Sequence, residues 1–231
     1  MGFYFFYMAW DVNTIYGYMR FLVRKNQSGS ISSTEFFYAW NSEQMDLFQD
    51  LKGRFQARNN GKEGINTGLI ENERIELKLS PFIKTTTIAI AAGLGTRPTD
   101  FSYLLAFRIG GYDVKHINKN QIATVNDNVI DPPSVANNCY YYTPYGSQYK
   151  FFPTTVTSAD IDYLGVPTDV NWAYSLDGSG RQVYDAGASV QPQWNQEEII
   201  EITERTLKKF GVSYKNGDMA QYGNSVIQSG N

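Results

Sequence analysis

From Asp11 onward apolar side chains recur at three- and four-residue steps: Val12, Ile15, Met19, Leu22 and Val23, with Arg20, Arg24 and Lys25 falling largely on other faces. That is the period of an α-helix with one buried side, and it predicts a helix ending near Asn26. The run NQSGS breaks it, with Gly29 placed as the left-handed residue that commonly follows a helix end. A second helix is expected at once. Ile31 precedes Ser32-Ser33-Thr34-Glu35, which matches the S-x-x-E capping box, where the serine hydroxyl and glutamate carboxylate satisfy orphan backbone donors reciprocally. Past the cap, Phe37, Trp40, Gln44, Leu47, Leu51 and Phe55 repeat at three or four residues, and Phe36 and Phe48 widen the stripe. So short a connection predicts an antiparallel helical hairpin over 11–60. Two readings of its aromatic stripe stand side by side. The rings fill the hairpin's own core, or the stripe is too wide for two helices to shield and part of it docks elsewhere, in this chain or in a copy of it.

The period then changes. RNNGKEGINT at 58–67 is a turn-rich linker, and RIELKL (74–79), TTTIAIA (85–91) and YLLAFRI (103–109) read as strands bounded by Pro81, Gly93-Leu94-Gly95, Pro98 and Gly110-Gly111. A short helix is expected within 118–127, and the paired prolines of DPPS (131–134) exclude regular structure locally. CYYYT, QYKFF and ADIDYLG read as further strands, and WAYSL with RQVYD as a hairpin around Asp177-Gly178-Ser179-Gly180. Asn195 is placed to cap a last helix running to about Phe210, with Ile199, Ile200, Thr203, Leu207 and Phe210 on one side. Glu197 and Glu198 in its first turn and Lys208 and Lys209 in its last complement the helix dipole, and Gly211 stops it. The fold class expected is α+β: an N-terminal helical hairpin, a mostly antiparallel β body over roughly 70–190, and a C-terminal helix packed on it. The divisions expected are a disordered or over-extended terminus (1–10), the hairpin (11–60), a β-rich body with its helix (68–213), and a flexible or partner-docking tail (214–231). The opening MGFYFFYMAW lacks a basic leader and is too short to span a bilayer, and Met8 is the expected natural start.

Charge and reactive residues narrow the function. A net charge of −3 gives no chain-wide basic field to hold phosphate backbones, which argues against tight nucleic-acid binding. One cysteine, Cys139, and one histidine, His116, allow no intrachain disulfide and too few ligands for a zinc site. Gly93-Leu94-Gly95 lacks the spacing of a dinucleotide or phosphate loop, and Gly178-Ser179-Gly180 lacks that of a nucleophile elbow, so both read as turns. Asp160 and Asp162 share one face of a strand. A catalytic or cation-binding pair is conceivable there, but alternating acids more often mark a solvated side. Asp218 beside Asn216 and Gly217 lacks a calcium-loop pattern, and His116 has no serine or cysteine partner nearby. The reading is non-enzymatic, with no cofactor and no metal. What the chain has in excess is rings, 17 Tyr and 14 Phe, which suit surfaces wet in one state and buried in another.

Several separated pieces occur in a fixed order: IYGYMRFLVRKNQSGSISSTEFFYAWNSEQMDLFQ, VIDPPSV, YLGVPTDVNWAYSLDGSGRQVYD, SVQPQWNQEEIIEITERTLKKFGV and DMAQYG. In that order they resemble a family of virion structural proteins of crAss-like and related Bacteroidetes phages. Its members show a DPP turn, a Y-L-R-x-P…W-x-Y segment, V-Y-D-P, and an F-x-W-P entry to a helix ending in L-G-I-N. Gly165 stands where the family has a basic residue, Ala186 where Pro follows Val-Tyr-Asp, and Asn195 where Pro follows Trp. The resemblance implies a head–tail connector or tail-ring subunit, located in the virion neck or tail and made in the host cytoplasm. Its implied partners are copies of itself in a ring, the portal and other connector or tail proteins, and transiently genomic DNA in the channel, with no membrane. The docking residues expected are Phe36, Phe37, Trp40, Leu47 and Phe48, with Trp172, Tyr174, Tyr184 and Trp194 as a second group whose burial within the subunit is the competing reading. The rival function is a carbohydrate-binding module, in which exposed Tyr and Trp stack on sugar rings, its supporting stretch being CYYYTPYGSQY at 139–149.

Overall fold

The computed structural model describes residues 10–25, 29–59, 69–128 and 132–211, and the protein they form is α+β. The chain divides into two compact units. One comprises the chain through Pro81 together with everything from Pro167, and the other is Phe82–Val166. This division leaves the expected hairpin (11–60) whole within unit one and splits the expected body (68–213) between the two units. The expected terminal segments lie outside the described residues, apart from Trp10, whose ring meets that of Tyr18 edge-on at 5.5 Å.

Unit one is largely helical: α1 (Val12–Lys25), α2 (Ser33–Asn59), α3 (Leu69–Leu79) and α5 (Gln196–Lys209), with the hairpin β9 (Tyr174–Leu176) and β10 (Gln182–Tyr184). The capping box forms as its spacing requires. Glu35 N–H donates to Ser32 Oγ (3.2 Å), while Ser32 N–H and its hydroxyl donate to Glu35 Oε2 (2.8 and 2.7 Å). Gly29 sits at φ +101°, a conformation that a Cβ would strain. α1 buries Val12, Ile15, Met19 and Val23, and its Tyr16 hydroxyl donates to the Ile31 carbonyl (3.0 Å), tying the first helix to the start of the second. α5 and α3 both pack against α2.

α3 corrects the sequence reading, which took 74–79 for a strand. Ile75, Leu77 and Leu79 alternate like one, but Ile75 and Leu79 are buried one helical turn apart while Leu77 is 66% exposed. On α5 the buried side runs through Ile199, Ile202, Thr203, Thr206 and Leu207, so Ile202 and Thr206 replace the expected Ile200 and Phe210. Thr203 and Thr206 enter the core because each hydroxyl bonds a carbonyl four residues back (2.7 Å each). Asn195 occupies the N-cap position, but its side chain donates to the Leu77 carbonyl instead (3.3 Å). Gly211, at φ +73°, ends the helix as expected.

Unit two is an eight-stranded sheet in the order β4-β3-β8-β1-β2-β7-β6-β5, antiparallel except between β5 and β6. Its strands are β1 (Ile83–Ala91), β2 (Leu94–Thr96), β3 (Phe101–Ile109), β4 (Tyr112–Asp113), β5 (Lys115–His116), β6 (Tyr141–Tyr145), β7 (Gln148–Phe152) and β8 (Ser158–Gly165). A short helix, α4 (Ile122–Asn126), lies within the expected 118–127. β3 and β7 stand four places apart, about 19 Å in a flat sheet at 4.8 Å per strand. The rings of Phe107 and Phe151 nevertheless lie 5.0 Å apart, so the sheet curls over on itself around them. The tight β1–β2 turn uses Gly93 at φ +77°, and Gly95 leaves room for Ile88 and Phe151, which a Cβ there would meet at 3.0 and 3.1 Å.

Candidate aromatic docking site

The aromatic residues expected at an interface separate into two sets. Phe36, Trp40, Leu47, Phe48, Trp172 and Trp194 are buried inside the chain itself, none more than 6% exposed. For them the competing core reading prevails. The stripe of α2 is covered by α5 and by the extended segment after Pro167, so Trp40 Nε1 donates to Thr203 Oγ1 (3.5 Å) and Trp194 Nε1 to Gln44 Oε1 (3.3 Å). Phe37 and Tyr184 are half-buried and Tyr174 is 42% exposed, leaving these three of the nine at the surface.

Those that reach the surface converge with one residue that the sequence reading missed. Phe37 and Tyr38, in the second turn of α2, meet edge-on at 5.3 Å, and Tyr38 is 69% exposed. Opposite them runs the segment 171–174. Together they frame an open cleft of about 530 Å³ lined by Ser33, Thr34, Phe37, Tyr38, Asn171, Trp172, Ala173 and Tyr174. Tyr38 lay off the apolar stripe by helical period, and that offset from the buried face was the available signal that it points outward.

The cleft is held rigid by buried polar groups. Asn41 Nδ2 donates to the Val170 carbonyl (2.9 Å) and Asn41 Oδ1 accepts from Val170 N–H (2.8 Å), a two-point clamp of an extended chain on a helix. Gln44 extends it, donating to Asn41 Oδ1 (2.7 Å) and to the Thr168 carbonyl (3.2 Å). Trp172 follows directly. Its indole N–H donates to Asn13 Oδ1 (3.0 Å), and its ring packs on Tyr16 (4.5 Å), Tyr174 (5.5 Å) and Tyr184 (6.1 Å). Tyr184 is fixed in turn by Gln191, whose amide donates to the tyrosine hydroxyl (3.0 Å) while its oxygen accepts from Val12 N–H (2.9 Å). Trp172 is thus the floor, and Tyr38 and Tyr174 the rim. Burial pushes the Tyr16 hydroxyl above the ordinary tyrosine range, so it stays a neutral donor.

The reactive residues are spent elsewhere. In unit two, Asp160 and Asp162 accept from Thr87 (2.6 Å) and Thr85 (2.7 Å) across the β1–β8 ladder, and Asp162 also pairs with Arg108, which matches a solvated sheet face. His116 is exposed beside the Tyr142 ring, and Cys139 is buried with its Sγ 3.3 Å from the Tyr141 hydroxyl. Among the described residues no cluster of three His, Cys, Asp or Glu could hold a metal ion, and no helix is long and apolar enough to cross a membrane. Asn216, Gly217 and Asp218 lie outside the described residues. In the tyrosine-rich stretch 139–149, Tyr140 and Tyr149 are buried, Tyr141 and Tyr142 half-buried, and Tyr145 alone among the tyrosines is exposed, which leaves few stacking platforms for a sugar. No protein-family model matches the chain, and no curated protein sequence matches it.

Proposed function

We propose that this chain is a non-enzymatic virion structural protein, a subunit of a head-to-tail connector or tail ring of a bacteriophage, docking on its neighbours through the rim of the aromatic cleft and leaving a passage for DNA. The observation that supports the reading best is the cleft itself: large rings presented at the surface over a floor locked by buried hydrogen bonds. Rigid aromatic anchors give contact area at low conformational entropy and dominate protein interfaces. The ordered resemblance across the chain points the same way. A closing ring needs one patch that fits a different patch on the next copy, and Phe37, Tyr38 and Tyr174 form the first. The mild negative charge suits a conduit, since a basic lumen would hold each passing phosphate.

The test is incorporation. Tyr38→Ser combined with Tyr174→Ser removes the two rim rings while leaving Trp172 held by Asn13, Tyr16 and Tyr184, and is expected to leave a folded chain absent from purified particles. Particles carrying normal amounts of the double variant would refute the docking role of the cleft. Saturable binding of a glycan by the isolated chain, abolished by the same two changes, would favour the carbohydrate-binding module instead.

A further inference from the structure

The β9–β10 hairpin is a two-stranded sheet, and such a ribbon is marginal in water unless something covers it. Its ladder is phased by two bonds at its ends: Asp177 N–H to the Arg181 carbonyl (2.9 Å) and Asp185 N–H to the Ala173 carbonyl (3.0 Å). With the register Val183↔Ser175, the odd residues therefore direct their backbone groups inward, between the strands. Gln182 and Tyr184 direct theirs outward along the open edge of β10. Side chains alternate too, so Arg181, Val183 and Asp185 share one face, with Val183 48% exposed.

The residues from Arg181 to Asp185 read R-Q-V-Y-D, and this order is complementary to itself when reversed. We propose that the edge of β10 pairs antiparallel with β10 of a second copy, about a two-fold axis through Val183. In that register Gln182 and Tyr184 of one copy oppose Tyr184 and Gln182 of the other at hydrogen-bonded positions, closing four backbone bonds. Val183 meets Val183 at the non-hydrogen-bonded centre, where side chains come closest. Arg181 of each copy faces Asp185 of the other. Asp185 has an oxygen to give: Oδ1 accepts from Gly187 and Ala188 N–H, leaving Oδ2 for the partner's guanidinium.

Charge selects this edge and this occupant. The same operation on β9 sets Asp177 against Ala173 and gains no ion pair. An edge guarded against pairing carries like charges or proline, whereas opposite charges at the two ends favour one antiparallel register. The contact joins identical patches, so it is separate from any ring-closing contact between different patches and does not rest on the connector reading.

Sedimentation velocity of the full chain is expected to show a monomer–dimer equilibrium between about 5 and 500 µM, the span in which so small an interface dissociates. Arg181→Glu sets like charges together at both ends and should weaken the dimer about tenfold. Asp185→Lys does the same but also removes the acceptor for Gly187 and Ala188, so the informative sample is the mixture. Arg181→Glu mixed with Asp185→Lys restores both ion pairs and should give a heterodimer at concentrations where each variant alone is mostly monomeric. Val183→Cys should oxidise to a covalent dimer, since the central pair lies about 4.5 Å apart between Cα atoms, within disulfide reach. A monomer at every concentration overturns the proposal. So does a dimer indifferent to Arg181→Glu, or a Val183→Cys chain that cross-links no faster than Ser179→Cys at the hairpin turn.

Discussion

Asn41→Ala isolates the clamp that holds the cleft floor. Asn41 is 9% exposed and Val170 1%, so the amide N–H and carbonyl of Val170 have no water to turn to when the side chain is cut back. Each buried backbone group left unpaired costs about 1–3 kcal/mol, and Gln44 also loses its acceptor. The expected loss is about 3 kcal/mol, a large part of the 5–15 kcal/mol typical of a folded chain. For a protein of this size that lowers the melting temperature by about 6–12 °C. All four tryptophans, Trp10, Trp40, Trp172 and Trp194, belong to unit one, so tryptophan fluorescence during urea unfolding reads that unit without the other. The midpoint should fall with little change in slope, and the Val170 amide should lose most of its protection against hydrogen exchange. A loss below about 0.5 kcal/mol, the range of ordinary surface substitutions, would refute the clamp.

Ser32→Ala removes the cap of α2 and should cost about 1 kcal/mol by the same fluorescence readout. Gly165→Ala places a Cβ 3.0 Å from Asp100 Oδ2 and 3.3 Å from the Lys84 stem, so the Lys84–Asp100 pair (2.6 Å) must shift. A loss of about 1–2 kcal/mol in unit two, followed by near-ultraviolet tyrosine dichroism, is expected. Burial, and for Tyr163 also its bond to Asp100 (2.9 Å), pushes Tyr149 and Tyr163 up to about 12. Unfolded tyrosines ionise near pH 10, so the stability these two contribute is whole below about pH 10 and is lost as pH rises through about 12. Melting curves by far-ultraviolet dichroism at stepped pH should show that fall, and a shallower one in Tyr149→Phe. At the other end, burial of Asp100 raises its pKa, but bonds from Lys84 and Tyr163 outweigh that and hold it below the ordinary carboxylate value. Its contribution is therefore present above about pH 4 and lost as pH falls through the lowered value.

Periodicity carried the reading where one face of an element is buried. α1, α2 and the strands β7 and β8 show their buried positions in the order of residues, α5 shows them in part, and the S-x-x-E cap named the first turn of α2 correctly. It failed at α3, where Ile75, Leu77 and Leu79 alternate by accident of a short helix. Glu71, Glu73, Arg74, Glu76 and Lys78, good helix formers and poor strand formers, were the contrary signal. Of the candidate site, the sequence marked the aromatic residues but not which of them face water. A helical stripe looks the same whether α5, which places Thr203 163 residues after Trp40, or another molecule covers it. The polar residues at 41 and 44, set among the rings, were the hint that the cover is a piece of the same chain bound through its backbone.

Because Phe82–Val166 interrupts unit one, ribosomal synthesis delivers the two units out of order. The sheet is complete once Val166 has emerged, while α2 waits for α5 before Trp40 can meet Thr203. At about 5–20 residues per second that delay is on the order of ten seconds, during which Phe36 has Tyr16 of α1 against it but Trp40 lacks the cover that α5 supplies. The nascent chain therefore passes through a stage in which its stickiest helix is ready and only partly claimed, and a holding chaperone that shields it until α5 arrives should raise the yield of intact protein.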